Sequence, residues 1–291
     1  MNHIIGNDFL TVTVNSLGAE LVSVKGKDGF EYIWCADERY WDGHAPLLFP
    51  ACGRTLDSTY TLGGKSYEMK THGFARDNEF ELVSNDGKKL VLRLEATEET
   101  KRNYPFDFTL CATFEVVENT LKVNFSVQNL DKKVMPYMLG WHPGFVLEDE
   151  GGSEIGDFSL KFSGASTVEW YPLQNGCFVR PFGEEYSLGG DSYVLNEEEI
   201  YSNDTMIFKG TGEVATLESD KEKHSLTMRW SKNLPYFCIW KDTTADARFI
   251  CLEPWSDVPG GGDAPENFDT KKMSRLSSGE SESYTYSVEF K

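Results

Sequence analysis

The chain reads as an all-β protein, a large antiparallel β-sandwich that residues 1–291 form as a single domain. Three observations predict this. Period-two alternation of apolar and polar residues recurs from end to end, glycine-centred turn signals punctuate it, and no window of helical length carries a 3.6-residue apolar stripe. At 291 residues the chain exceeds the commonest domain size of roughly 100–150 residues, yet all-β sandwiches reach such lengths as one unit. Apolar residues make up 40% of the sequence and aromatics 13%, with 7 Trp, 13 Tyr and 19 Phe, enough volume for a thick core.

Along the chain, the clearest half-buried strands are Leu10-Thr11-Val12-Thr13-Val14, Lys89-Leu90-Val91-Leu92-Arg93-Leu94, the run from Thr120 to Val127, and Tyr284 to Phe290. Hairpin turns are expected at Asp28-Gly29, Gly63-Gly64, Asp86-Gly87 and Gly189-Gly190, where glycine supplies the positive φ of a tight turn. Leu195–Ile200 has the composition of a short helix at most, and Pro259-Gly260-Gly261-Gly262-Asp263 reads as a surface loop. Neither a fixed-period repeat nor a low-complexity linker divides the sequence.

Charge narrows the partners. The 28 Lys+Arg against 47 Asp+Glu leave a net charge of −19, which repels nucleic-acid backbones and anionic membranes, although local arginines can reverse the sign inside a pocket. The first residues lack a basic segment followed by an apolar one, and no stretch of about 18 apolar residues occurs. A cytoplasmic protein is expected. Cys35, Cys52, Cys111, Cys177, Cys238 and Cys251 are scattered without a CxxC pair, most of them in apolar runs, and are read as reduced core thiols.

Histidine is scarce, at 5 copies, so the company each one keeps is informative. His72 stands in Thr71-His72-Gly73-Phe74-Ala75-Arg76, where Gly73 allows another group to approach closely and Arg76 follows on the same segment. His142 stands in Gly140-Trp141-His142-Pro143, flanked by residues that fix its ring. Glu253 lies in Phe249-Ile250-Cys251-Leu252-Glu253-Pro254-Trp255; a carboxylate in so apolar a run is costly unless used or paired, and Pro254 is expected to end the strand so that Glu253 faces a cleft. Asp204 precedes the apolar run Met206-Ile207-Phe208 and reads equally as a turn residue, and Arg54 follows Phe49-Pro50-Ala51-Cys52-Gly53, where a five-donor guanidinium suits hydroxyls, a carboxylate or a phosphate. The bland alternatives are core-edge histidines bonded to carbonyls, a solvated strand-end Glu and a surface ion pair. HxH, HExxH, zinc-spaced cysteine pairs, GxSxG, P-loop and GxGxxG are all missing, so acid/base chemistry by His and Glu has the best support and a dedicated metal site little.

Taken with Ser16-Leu17-Gly18-Ala19-Glu20-Leu21, Tyr32-Ile33-Trp34 and Ala45-Pro46-Leu47-Leu48-Phe49-Pro50, the segments around His72, His142 and Glu253 resemble the aldose 1-epimerase (galactose mutarotase-like) family, most closely its LacX-like bacterial branch, over nearly the whole chain. The resemblance implies a galactose mutarotase-like supersandwich with a sugar cleft across one sheet, no cofactor, and a small-molecule sugar as partner. It implies His142 as the general acid toward the ring oxygen and Glu253 as the general base toward the anomeric hydroxyl, with His72, Asp204 and Arg54 holding the sugar. Arg76 is similar to an arginine of the hexose-6-phosphate 1-epimerases. A hexose 6-phosphate is thus the alternative substrate, a non-catalytic sugar-binding protein the alternative function, and a homodimer is left open. A glycoside hydrolase would ordinarily need a second catalytic carboxylate beside Glu253.

Overall fold

A computed structural model describes every residue of the chain except 148–150, 165, 175–177, 180–181, 243–246 and 261–263. Strands hold 49% of the residues, and among the described residues the α-helices are two short segments, Thr100–Asn103 and Glu197–Asn203. No described helix is long and apolar enough to cross a membrane. The protein is all-β.

Nine strands form the larger sheet, in the order Ser192–Val194, Ser159–Phe162, Val214–Glu218, Leu226–Trp230, Ser281–Phe290, Thr120–Asn129, Phe108–Val117, Lys89–Glu95 and Glu81–Asn85. The second sheet runs Glu184–Ser187, Thr167–Trp170, Thr205–Lys209, Tyr236–Trp240, Phe249–Trp255, Gly140–Trp141 and Leu47–Leu48, with Gly144–Val146 also paired to Phe249–Trp255. Every pairing within these two sheets is antiparallel. In Phe108–Val117 each buried residue is followed by a more exposed one, the signature of a sheet with one face on the core. The facing layers meet through aromatic pairs: Phe125 and Tyr286 against Trp141, Phe162 and Trp230 against Phe237, and Tyr193 against Phe208.

Most turn expectations hold. Gly63-Gly64 and Asp86-Gly87 close hairpins, and Asp28-Gly29 closes the loop bridged by Lys25 and Glu31. Gly189-Gly190 also makes its tight reversal, closed by an antiparallel bridge between Gly189 and Ser192, but Glu184–Ser187 and Ser192–Val194 belong to different sheets, so this turn carries the chain from one layer to the other. A tight glycine turn specifies a reversal of direction, not which strand receives it. The short helix forms over Glu197–Asn203, where the Asn196 side chain accepts the Glu199 N–H at 3.1 Å and three glutamates occupy the positive first turn.

Three further expectations change. Pro254 does not end its strand, which runs to Trp255. Leu252 and Ser256 donate their N–H groups to Pro143 and Leu139, and the rung between them, which Pro254 cannot fill, falls where the neighbouring strands Gly140–Trp141 and Gly144–Val146 are interrupted. Among the thiols, Cys52, Cys238 and Cys251 are buried, Cys111 is half-buried, Cys35 is exposed, and Cys177 lies outside the described residues. In the glycine-rich loop, Pro259 is buried rather than at the surface, and 261–263 lie outside the described residues. Truncating the inter-sheet wedge Phe125, fully buried against Phe114, Trp141 and Tyr286, is expected to cost about 3–5 kcal/mol, read as a lowered urea midpoint for Phe125→Ala.

Candidate active site

Phe249–Trp255 is buried at all seven positions, unlike the half-exposed strands of the larger sheet. Strand alternation sends Ile250, Leu252 and Pro254 to one face and Phe249, Cys251, Glu253 and Trp255 to the other. Glu253 and Trp255 of that second face line a cleft of about 300 Å³, within the usual size range of small-molecule sites. Arg54, His72, Arg76, His142, Asp204 and Glu253 all line it, together with Trp41, Trp240, Trp255, Leu173, Thr71, Thr205 and Pro259. The six residues singled out in the sequence therefore share one cavity, although they come from five separate segments.

Backbone stitching explains how Arg54 and His72 are brought together. Gly53 N–H donates to His72 Nδ1 at 3.1 Å and His72 N–H donates to Gly53 O at 2.8 Å. Beyond His72, the N–H groups of Phe74 and Ala75 both reach Phe49 O. Gly73 has φ +79°, and a Cβ there would lie 2.2 Å from Phe49 O, so the close approach expected after His72 is made by backbone. Because Nδ1 accepts from Gly53, the neutral His72 ring carries its proton on Nε2. Burial, then the guanidiniums of Arg76 and Arg54, hold its pKa down to about 3.

His142 is fixed by its N–H bond to Pro46 O and boxed by Trp41 at 5.0 Å, His72 at 5.4 Å and Trp240 at 5.5 Å between ring centroids. Its Nε2 stands 3.3 Å from Glu253 Oε1. Glu253 is 1% exposed, and neither carboxylate oxygen has a well-formed hydrogen bond. Burial drives its pKa well above the usual range, the Trp255 indole opposing and the charge of Asp204 adding to the rise. Burial likewise drives His142 well below 6.5, with His72 and Arg76 acting in the same direction. Both groups are pressed toward their uncharged forms.

Asp204 caps the helix Glu197–Asn203 with φ 62° and ψ −56°, a costly conformation for a residue with a side chain. It precedes the strand Thr205–Lys209, whose Thr205 pairs with Trp240. Burial raises its pKa, while Arg54 and the Trp240 indole oppose the rise. Arg54 is exposed and Arg76 half-buried, and neither makes an ion pair among the described residues. The aromatic walls Trp41 and Trp240 were not singled out in the sequence. Trp240 ends the apolar run that begins at Tyr236, but Trp41, in Tyr40-Trp41-Asp42-Gly43, carries no local sign of its place. Also unforeseen, His142, Cys251 and Glu253 bring ligand-type atoms within 4.8 Å of one another.

The low pKa of His72 sets a sign for its pH dependence. The unfolded chain takes up this proton near 6.5 and the folded chain near 3, so the His72 contribution to stability is full above about 6.5 and is lost as pH falls toward 3. The stability difference between wild type and His72→Asn should shrink over that window by up to about 1.4 kcal/mol per pH unit, less where water screens the ring's open edge. Urea denaturation at a series of pH values measures it.

A family model described as aldose 1-epimerase matches residues 2–289. Protein LacX, plasmid, from Lactococcus lactis subsp. lactis is 32% identical over 264 residues, which cover 87% of this chain and 86% of that protein. Among solved structures, a galactose mutarotase related enzyme from Lactobacillus acidophilus superposes with a TM-score of 0.93 at 28% identity, covering 100% of this chain and 97% of that one. A galactose mutarotase-like protein from Lactobacillus casei ATCC 334 gives 0.91 at 29% identity over 100% of both chains. A family match across almost every residue, joined to a relative above 30% identity over most of both proteins, places this chain in the aldose 1-epimerase family.

Proposed function

We propose that the protein is an aldose 1-epimerase that interconverts the α and β anomers of a hexose or related aldose, with His142 and Glu253 as its acid and base. The observation that carries this reading is a buried carboxylate without a hydrogen-bond partner, 3.3 Å from an imidazole nitrogen, in an aromatic-walled cleft. The neutral pair and the ion pair His142-H⁺/Glu253⁻ contain the same single proton, so moving it within the pair creates the acid and the base together. Polar hydroxyls of a bound sugar favour that transfer by supplying the hydrogen bonds that Glu253 lacks.

From the ion-pair form, Glu253 takes the anomeric O1 proton while His142 protonates the ring oxygen O5. The C1–O5 bond breaks as the C1=O1 carbonyl forms. Rotation about C1–C2 presents the other carbonyl face; O5 attacks C1, its proton returns to His142, and Glu253 returns the O1 proton. Atoms and electrons balance with no external reagent. Positioned acid and base groups each supply about 10²–10⁴-fold, which suffices for a reaction that is already facile in water. Trp41, Trp240 and Trp255 suit the apolar face of a pyranose, and His72 and Asp204 suit its hydroxyls.

Polarimetry of freshly dissolved α-D-glucose and α-D-galactose tests the reading. Wild-type protein should accelerate mutarotation, and Glu253→Gln and His142→Asn should each lose at least about 10²-fold in kcat. The wild-type pH profile should be bell-shaped: His142 is pressed down and Glu253 up, so the acid limb, where the pair gains a second proton, should fall below about 6.5. No acceleration with any aldose would leave a sugar-binding protein instead.

A second reading of the substrate, a hexose 6-phosphate, is favoured by Arg54 and Arg76, two guanidiniums in one cleft with no ion-pair partner among the described residues. On that reading, Arg76→Ala raises KM for glucose 6-phosphate about tenfold or more and leaves the KM for glucose unaffected; equal effects on both KM values would favour the neutral hexose.

A further inference from the structure

Cys251 precedes Glu253 by two residues on one strand, so both side chains leave the same face of the sheet. His142 reaches that face from the interrupted neighbouring strand, and one ligand-type atom from each of the three lies within 4.8 Å of the others. All three residues are buried, and neither Glu253 oxygen has a hydrogen-bond partner. An imidazole nitrogen, a thiolate and a carboxylate oxygen form a donor set that zinc accepts in sites with three protein ligands and one open position. Two ligands about 2.0–2.1 Å from a tetrahedral zinc stand about 3.4 Å apart, and His142 Nε2 is 3.3 Å from Glu253 Oε1. Cys238 pairs with Glu253 across the strands, so a second thiol-bearing residue borders the carboxylate.

We infer that His142, Cys251 and Glu253 form a binding site for a thiophilic divalent cation, Zn²⁺ above all, whose fourth position opens into the sugar cleft. Binding sends the Cys251 thiol proton, and the proton shared by His142 and Glu253, to solvent. Mg²⁺ and Ca²⁺, which require six or more oxygen ligands, find no such shell here. The bound cation ties up the carboxylate needed at O1 and the imidazole needed at O5, so it inhibits ring opening reversibly. That inhibitory consequence rests on the proposed acid and base roles, whereas the binding itself does not.

Cobalt(II) reports the site without any activity assay, because a thiolate ligand gives it a near-ultraviolet charge-transfer band. In a Cys35→Ser background, which removes the thiol exposed among the described residues, one equivalent of Co²⁺ should produce that band and Zn²⁺ should displace it. The further change Cys251→Ser should abolish the band, with Cys251→Ala as a second variant and circular dichroism confirming the fold of both. In polarimetry, Zn²⁺ should inhibit mutarotation and EDTA restore it, and Cys251→Ser should raise the half-inhibitory concentration at least about tenfold while keeping the metal-free rate. A missing band, or one that survives both Cys251 variants, overturns the site. Zn²⁺ binding that leaves mutarotation untouched overturns the inhibitory role. If the protein accelerates no mutarotation, the proposed function fails and the cobalt band still decides the site.

Discussion

Keeping one carboxylate out of water is the constraint on which the rest of the cleft depends. Glu253 sits at 1% exposure on a strand buried at every position, where an isolated charge costs several kcal/mol even after relaxation. Among the described residues, no lysine or arginine forms an ion pair with it. Instead the cleft places an imidazole 3.3 Å away, and burial presses that imidazole toward neutrality as well. Both members of the pair are thereby pressed toward their uncharged forms. Such a pair is poor at stabilising the fold. On the proposed function it serves proton transfer instead, and microscopic reversibility then requires each group to act in both directions as the ring opens and recloses.

The remaining cleft structure holds that pair in place. Three tryptophans limit water around the pair, and the T-shaped packing of His72 on His142 fixes the imidazole from the side. His72 is in turn held by the clasp with Gly53, and the clasp by the contact of Gly73 with the Phe49 carbonyl. The positive φ values of His72 and Asp204, two polar residues in the cleft, belong to the same economy. Local strain persists only where surrounding packing over-determines it, and here the surroundings are two sheets joined by interlocked aromatic rings.

The sheets were legible because one face of each long strand is wet, and alternation is then the only pattern that buries the other face. Phe249–Trp255, buried on both sides, shows no such alternation. Its Glu stood out for that reason, while its extent was misjudged at Pro254, since the missing N–H is harmless at a rung the neighbouring strands leave vacant. Gly189-Gly190 announced a reversal whose receiving strand lies in the other sheet, a choice made by tertiary packing. The site motifs were readable because His72-Gly73 and the Glu253 run each violate the composition of an ordinary core strand. Trp41 and Cys251 violate nothing locally. Their place beside His142 arises from contacts across about 100 residues of chain, which no local window contains.

Charge separates the molecule as a whole from its cleft. The chain carries a net −19, yet among the described residues that line the cleft are two guanidiniums, Arg54 and Arg76, the buried pair His142 and Glu253, and one exposed carboxylate, Asp204, whose own pKa burial raises. Long-range field and local field therefore have opposite signs. Salt screens the first beyond about 8–10 Å, while the second acts within a partly desolvated pocket where screening is weak. An anionic ligand would meet repulsion far out and attraction at contact; a neutral sugar would feel only the dipolar part of either. On the proposed readings of the substrate, discrimination between the two falls to Arg54 and Arg76, on segments distinct from the strand that carries Glu253. On that proposal the acid/base roles and the choice of substrate rest on different pieces of backbone, yet they stay coupled, because the Arg76 guanidinium also presses His142 toward its uncharged form.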